Sequence, residues 1–276
     1  MKKVAPLRYD VIFKKAFSHP DLFTALVKDF LGIQLEITEV EHDKVFIPPP
    51  VGNVAAKFDL FAEDTKNRVI VEVQHAHYSD TYERFFYYQC SAMVETIQSS
   101  KNYSFPVTVF TLVFFTGKKT PSPDSGIIVH DFEPKDFMTG KVLTDIYPHK
   151  HQLFFVFTND SAPEKAPVPH REWMQAIDDS LDKQVDEAQY TNPAIQALFD
   201  VIEQSKVTPE ERARMKEEDN QTEAETQAFK EGEEKGIKEG EEKLKETARN
   251  LKALGALTEE QIANATGLSL EVVKAL

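Results

Sequence analysis

Lys57-Phe58-Asp59-Leu60-Phe61-Ala62-Glu63-Asp64-Thr65-Lys66-Asn67-Arg68-Val69-Ile70-Val71-Glu72-Val73-Gln74 is the stretch on which the fold turns. It holds two runs of β-forming residues around a polar centre with turn formers at Asp64 and Asn67. Side chains alternate across a strand, so Val69, Val71 and Val73 are expected on one face and Glu72 and Gln74 on the other. On the first run the same rule puts Phe58 and Leu60 together, with Lys57 and Asp59 opposite. A four-residue turn at 64–67 pairs Glu63 with Arg68, and by continuation Asp59 with Glu72. Directly opposed side chains have Cβ atoms roughly 4.5–5.5 Å apart, so two carboxylates there repel. A hard divalent cation with oxygen ligands relieves that repulsion. Mg²⁺ is the default, because it binds through one or two carboxylates and keeps several waters, with Mn²⁺ or Ca²⁺ as alternatives. Such an ion activates water and stabilises charge on a phosphate. Gln74 would aim its amide at the same place. The pattern is equally that of an ordinary hairpin with acids on its solvated face.

Working outward, residues 12–17 and 22–31 read as two amphipathic helices separated at His19-Pro20, the second capped by Gly32. Val45-Phe46-Ile47 is a strand that stops at prolines 48–50. A helix runs from a Ser79-Asp80 cap to about Ser99, with Gln89 the polar exception on its apolar stripe. Val107 to Phe115 reads as a central buried strand, and Ile127–Val129 and Leu153–Phe157 as further strands. The three prolines of 161–169 mark a linker. Residues 171–206 look helical, with Trp173, Ile177, Leu181, Ile195, Leu198, Phe199 and Ile202 as packing positions. Thr208-Pro209 opens a polar helix, and residues 255–276 form a compact helix–turn–helix pattern with a Thr258/Gln261 capping box.

The whole reads as an α/β core over 1–160, a linker over 161–170, a helical extension over 171–206, a charged helix over 207–254 and a small module over 255–276. Within the charged helix Gly232, Gly236 and Gly240 line one face, at about 1 kcal/mol each relative to alanine. Close helix pairing would repay that, within the chain or in a homodimer. The small module's second helix carries no Arg, so base reading by it is not expected.

A net charge of −14 looks wrong for a nucleic-acid enzyme, but residues 1–160 account for only −3 of it. Strong non-specific binding through phosphate neutralisation is not supported, and DNA binding is not excluded. No apolar run reaches the roughly 18–20 residues of a membrane span, and no apolar leader follows Met1, so a cytoplasmic protein is expected. The single cysteine, Cys90, rules out an internal disulfide or a cysteine-based zinc site and reads as a buried helix residue.

The order helix, strand with Asp59, hairpin, strand with Glu72-Val73-Gln74, then helix resembles the PD-(D/E)xK nuclease superfamily, whose restriction-endonuclease-like core is a central mixed sheet flanked by helices. More narrowly it is similar to the recombination-promoting nucleases, also labelled transposases, in which glutamine replaces the motif's lysine. Tyr9 to Phe17, Glu83 to Tyr88 and the glycine-spaced tail carry that narrower likeness. The resemblance implies a metal-dependent DNA endonuclease associated with recombination, with Asp59 and Glu72 as metal ligands and Gln74 in lysine's place. A non-catalytic nucleic-acid or protein-interaction module that keeps the fold is the alternative. Glutamine is neutral, so charge must come from elsewhere, and Lys57 is a candidate. Asp10 and Lys14, four apart on one helix face, could add a third acid and a cation, or form a surface ion pair. Arg84 and Tyr88, also four apart, are candidates for DNA phosphate contact or plain helix surface. His75 and His77 read as loop histidines.

Overall fold

The computed structural model describes residues 1–46, 55–75, 81–97, 104–117, 124–158 and 165–276. Ile47, prolines 48–50, His77, the Ser79-Asp80 cap, Ser99 and linker residues 161–164 lie outside these. The chain forms two compact units, Met1–Lys216 and Glu217–Leu276.

The first unit opens with β1 (Lys2–Lys3), α1 (Asp10–Phe17), α2 (Pro20–Leu31) and β2 (Glu41–Phe46). The hairpin β3 (Ala56–Glu63) and β4 (Asn67–Gln74) follows, then α3 (Thr81–Glu95), β5 (Thr108–Phe115), β6 (Ile127–Asp131) and β7 (Gln152–Phe157). After them come α4 (Val168–Leu181), β8 (Gln184–Val185) and α5 (Pro193–Val201). A long helix, α6 (Pro209–Leu254), begins in this unit. Pro20 sits in the first turn of α2, where its missing N–H costs nothing, and Gly32 ends that helix at φ 67.

Strands β2 to β7 form one mixed sheet in the order β2-β3-β4-β5-β7-β6, with β4, β5 and β7 parallel and the other pairs antiparallel. Both faces are covered. On one, Leu60, Val69, Val71, Leu112 and Phe114 pack against Ile12, Phe13, Phe17, Phe23 and Leu26 of α1 and α2. On the other, α3 lies over Phe58, Ile70, Val113 and Phe155. Burial on both faces is why β5 reads as an unbroken apolar run. Gln89 is the reason for one polar residue on the stripe of α3. Its amide donates to the Val109 carbonyl (3.1 Å) and accepts from the Thr111 hydroxyl (2.6 Å), locking α3 to the central strand.

Residues 171–206 are not set apart from this core. Trp173, Ile177, Ile195, Leu198, Phe199 and Ile202 are fully buried in the same cluster as α1 and α2. Trp173 also donates its indole N–H to Asp29 of α2 (2.7 Å). The stretch is broken by β8, which pairs with β1 and so ties the first residues to the fold. Cys90 is exposed rather than buried. The inward positions of α3 are Phe85, Gln89 and Ala92, which leaves Cys90 on the outer face.

The second unit holds the rest of α6 with α7 (Glu259–Thr266) and α8 (Leu270–Ala275). Its core is small: Ala248, Ile262 and Val273, with Leu251, Ala263, Leu268 and Leu276 packed against them. Thr258 and Gln261 form the reciprocal capping box at the start of α7. A Cβ built on Gly232, Gly236 or Gly240 meets nothing within 4 Å, so the glycines do not serve close helix approach among the described residues of this chain.

The shared core fixes where the chain can be shortened. Residues 1–216 are expected to express as a soluble, cooperatively melting protein. Ending the chain after Phe157 instead exposes the apolar faces of α1 and α2 and yields insoluble or molten material, read by circular dichroism and thermal melting.

Candidate active site

The hairpin register is that of a four-residue turn, with Glu63 opposite Arg68 and Leu60 opposite Val71. Asp64 shapes the turn by accepting the backbone N–H groups of Lys66 and Asn67 (2.7 Å each). The β3–β4 ladder then stops at Leu60↔Val71, one position short of Asp59 and Glu72, while β4 continues along β5 to Gln74↔Phe115. The ladder between β2 and β3 also skips a step, at Asp43 and Asp59, where Asp43 takes the left-handed conformation (φ 55).

This double interruption turns β3 over. Alternation puts Phe58 with Leu60, but Phe58 lies on the α3 face, its ring 5.1 Å from Phe46 and 5.3 Å from Tyr88, while Leu60 joins the opposite core. A local break in pairing overrides the period of two. Asp59 sits at the crossing point.

The backbone groups freed there are taken up by the acids themselves. The Asp59 N–H donates to Glu72 Oε1 (3.0 Å), and the Val73 N–H donates to Asp59 Oδ2 (3.1 Å). Each carboxylate thus replaces a ladder bond of the other strand and is held by it. Glu72 is buried, at 5% exposure, and the Asp59 side chain retains 23%. Burial, followed by the charge of Asp10, lifts the Asp59 carboxyl to about 6. Burial and then the charge of Asp59 lift Glu72 well above the usual carboxylate range. Two buried acids this close resist ionising together.

Cations approach from both layers. On α1, Lys14 bonds Asp10 Oδ2 and Asp43 Oδ1 (2.8 Å each) and lies 3.8 Å from Asp59 Oδ1. Burial alone would lower its pKa, but the bonds to Asp10 and Asp43 and the charge of Asp59 hold the ammonium above the usual lysine range. On α3, Arg84 donates to Gln74 Oε1, and its charge favours ionised Glu72. Tyr88 is half-buried, and burial and then the Glu72 charge raise its hydroxyl pKa. Asp10, Lys14, Arg84 and Tyr88 therefore converge on the acids instead of lying on plain helix surface. Lys57 is 60% exposed and bonds Asp43 (2.8 Å), so it reaches the acids only through Asp43. His75 sits outside, its ring at hydrogen-bond distance from the Thr116 hydroxyl (3.1 Å).

Asp43 is the residue sequence reasoning passes over. Nothing in Glu41-His42-Asp43-Lys44 announces a left-handed residue, beyond aspartate's tolerance of that conformation. The end of β4 is fixed by close backbone approach: a Cβ on Gly117 would lie 2.0 Å from the His75 carbonyl oxygen. Among the described residues no group of three or more His, Cys, Asp or Glu is arranged to hold a metal. The donor set is the two carboxylates, which suits an ion that keeps most of its waters. No described helix is long and apolar enough to cross a membrane.

A family model described as "PD-(D/E)XK nuclease family transposase" matches residues 7–232. No curated protein and no solved structure matches the chain.

The raised carboxyls have a measurable consequence. A group whose folded pKa exceeds its unfolded value costs stability when ionised. The metal-free protein therefore gains stability from Asp59 as pH falls from above 6 toward 4, by up to about 1.4 kcal/mol per pH unit, and the raised Glu72 carboxyl acts in the same direction. His151 acts with the opposite sign, because burial holds its imidazole down to about 4. The difference from a variant isolates the pair. Glu72→Gln is expected to raise the urea midpoint in EDTA at pH 8 and to leave it nearly unchanged at pH 4.5.

Proposed function

We propose, given that the chain belongs to the PD-(D/E)XK nuclease family of transposases, that it is a metal-dependent endonuclease that hydrolyses DNA phosphodiester bonds in the course of recombination or element mobility. The observation that carries this reading is the buried Asp59–Glu72 pair at the break in the hairpin, with Lys14 and Arg84 on either side. Asp59 and Glu72 are the proposed metal ligands, Mg²⁺ being the expected ion and Mn²⁺ or Ca²⁺ alternatives. When bound, such an ion polarises a water and neutralises charge on the phosphate.

The remaining steps belong to the chain. Glu72, fixed by the Asp59 N–H and shielded from solvent, orients the donor set, while Asp59 keeps its solvent-facing edge toward substrate. Lys14 supplies the positive charge that the motif's lysine carries in the wider superfamily, where it stabilises charge developing on phosphate. Gln74 and Arg84 act as a pair: the amide oxygen holds the guanidinium in place, on the side from which it would meet a phosphate oxygen. Tyr88 supports this side through its packing on Phe58 and Phe85.

A homodimer through α6 belongs to the same reading. Ile237 and Leu244 are one heptad apart on that helix and 59% and 42% exposed, and Phe229, 74% exposed, lies eight residues before Ile237, so the proposed partner helix would cover Ile237 and Leu244 first. Sedimentation should show a dimer that Ile237→Glu with Leu244→Glu reduces to a monomer. A dimer that survives both changes removes the helix from the account.

The activity test is cleavage of supercoiled plasmid. Wild type is expected to nick with Mg²⁺ or Mn²⁺ and not in EDTA. Asp59→Asn and Glu72→Gln should each lose about 100-fold or more, and equal activity in either variant would sink the assignment. Gln74→Lys should lower the rate rather than restore a missing lysine, because it places a second cation against Arg84. A non-catalytic DNA-binding module would instead hold DNA without nicking across divalent ions.

A further inference from the structure

Lys14 cannot hold its own position. It is a long side chain with many rotamers to lose, and its distance to Asp59 Oδ1, 3.8 Å, is that of an ion pair and too long for a hydrogen bond. What fixes it is a pair of 2.8 Å bonds, to Asp10 on its own helix and to Asp43 on β2. The bond to Asp10 spans one helical turn and travels with α1. Only the bond to Asp43 ties the ammonium to the sheet that carries Asp59.

Asp43 is placed for this by an unusual backbone. It is one of two described non-glycine residues with positive φ, at 55, and it interrupts the β2–β3 ladder at the step facing Asp59. In a regular strand, residue 43 would pair with residue 59. Here its Oδ1 accepts from both Lys14 and Lys57 (2.8 Å each), and Oδ2 lies 3.3 Å from His42 Nδ1. A left-handed backbone is strained for a residue with a side chain, and in this conformation Asp43 makes both lysine bonds. An aspartate that only kept the strand soluble would need no such backbone.

We infer that Asp43 is a positioning residue that anchors Lys14 to the sheet beside Asp59, so that the cation missing from position 74 is delivered from α1. This rests on the nuclease reading for what the lysine does, though not for where it is held. The left-handed backbone explains why aspartate stands here: asparagine and glycine are the other residues that adopt it readily. It also supplies test variants that keep the fold. Asp43→Gly retains the backbone and removes the carboxylate, and Asp43→Asn retains the backbone and one acceptor oxygen but loses the charge.

Two measurements on the full chain decide it. The first is metal-free labelling of Lys14 by an amine-reactive reagent, read by peptide mass spectrometry. Asp43→Gly should raise the labelling rate of Lys14 several-fold, with Asp43→Asn between it and wild type. The second is plasmid cleavage with Mg²⁺ in a double-mutant cycle with Lys14→Met. Asp43→Gly should lower kcat roughly 10- to 100-fold with little change in KM, Asp43→Asn should recover part of that loss, and Asp43→Gly should cost nothing further once Lys14 is methionine. Lys14 labelling unchanged in a folded Asp43→Gly protein overturns the inference, and so do additive losses in the cycle. If wild type does not cleave DNA, the nuclease reading falls, and the labelling result alone decides whether Asp43 holds Lys14.

Discussion

The candidate site depends on a ladder that stops one residue early. Strands β3 and β4 pair from Glu63↔Arg68 to Leu60↔Val71 and then separate, and the backbone donors left by the separation are taken up by the side chains of Asp59 and Glu72. A continued ladder would satisfy those N–H groups through carbonyls and leave the two acids as ordinary cross-strand neighbours. Instead each carboxylate is a structural bond of the hairpin, which explains how two acids stay buried beside each other. The bonds to the backbone offset part of the desolvation cost, and a cation in reach of both would offset the rest. The same break turns β3 over, so Phe58 reaches α3 while Leu60 reaches α1 and α2, and the acids lie between the two helical layers.

Much of this was legible in the sequence, for identifiable reasons. Asp64 and Asn67 set the turn, and the turn sets the register as far as Leu60↔Val71; Asp59 and Glu72 lie one step beyond the ladder and are brought together by bonds to each other's backbone instead. Those are local rules, and they hold where pairing is regular. The face that Val69, Val71 and Val73 share on β4 follows from alternation for the same reason. Alternation fails between Phe58 and Leu60, because the cause lies sixteen residues upstream, in a left-handed aspartate with no local signal. Cys90 and Gln89 show the same limit on α3. A helical stripe gives the buried face approximately, but whether a polar residue on it finds partners depends on strands it meets only in the fold. Residues 171–206 read as a helical extension because a linker with three prolines precedes them. Trp173 and Phe199 belong nonetheless to the core begun by α1, and contacts that distant in sequence leave no trace in local pattern. The roles of the acids in chemistry rest on family resemblance and geometry together, since Asp and Glu-x-Gln alone are common on half-solvated hairpins.

The arrangement also gives a physical meaning to glutamine at position 74. A lysine there would set a second cation against Arg84, with Glu72 two residues earlier to answer its charge. Glutamine is instead paired with Arg84, which lies one layer away on α3 and acts on Glu72 from that side, while Lys14 acts on Asp59 from α1. On the proposed reading, one motif charge would be exchanged for two cations, each held by a neutral or acidic partner and each nearer a different acid. The exchange has a structural cost. A lysine on β4 is placed by the strand itself, whereas Lys14 and Arg84 depend on helices packing at the right depth. That dependence falls on the residues locking those helices to the sheet: Gln89 joining α3 to Val109 and Thr111, and Asp43 joining Lys14 to β2. Positive charge delivered from separate layers is only as well placed as those joints. The polar residues least expected from the apolar pattern, a glutamine inside the core and a left-handed aspartate in an edge strand, are therefore the ones on which the site's electrostatics rest.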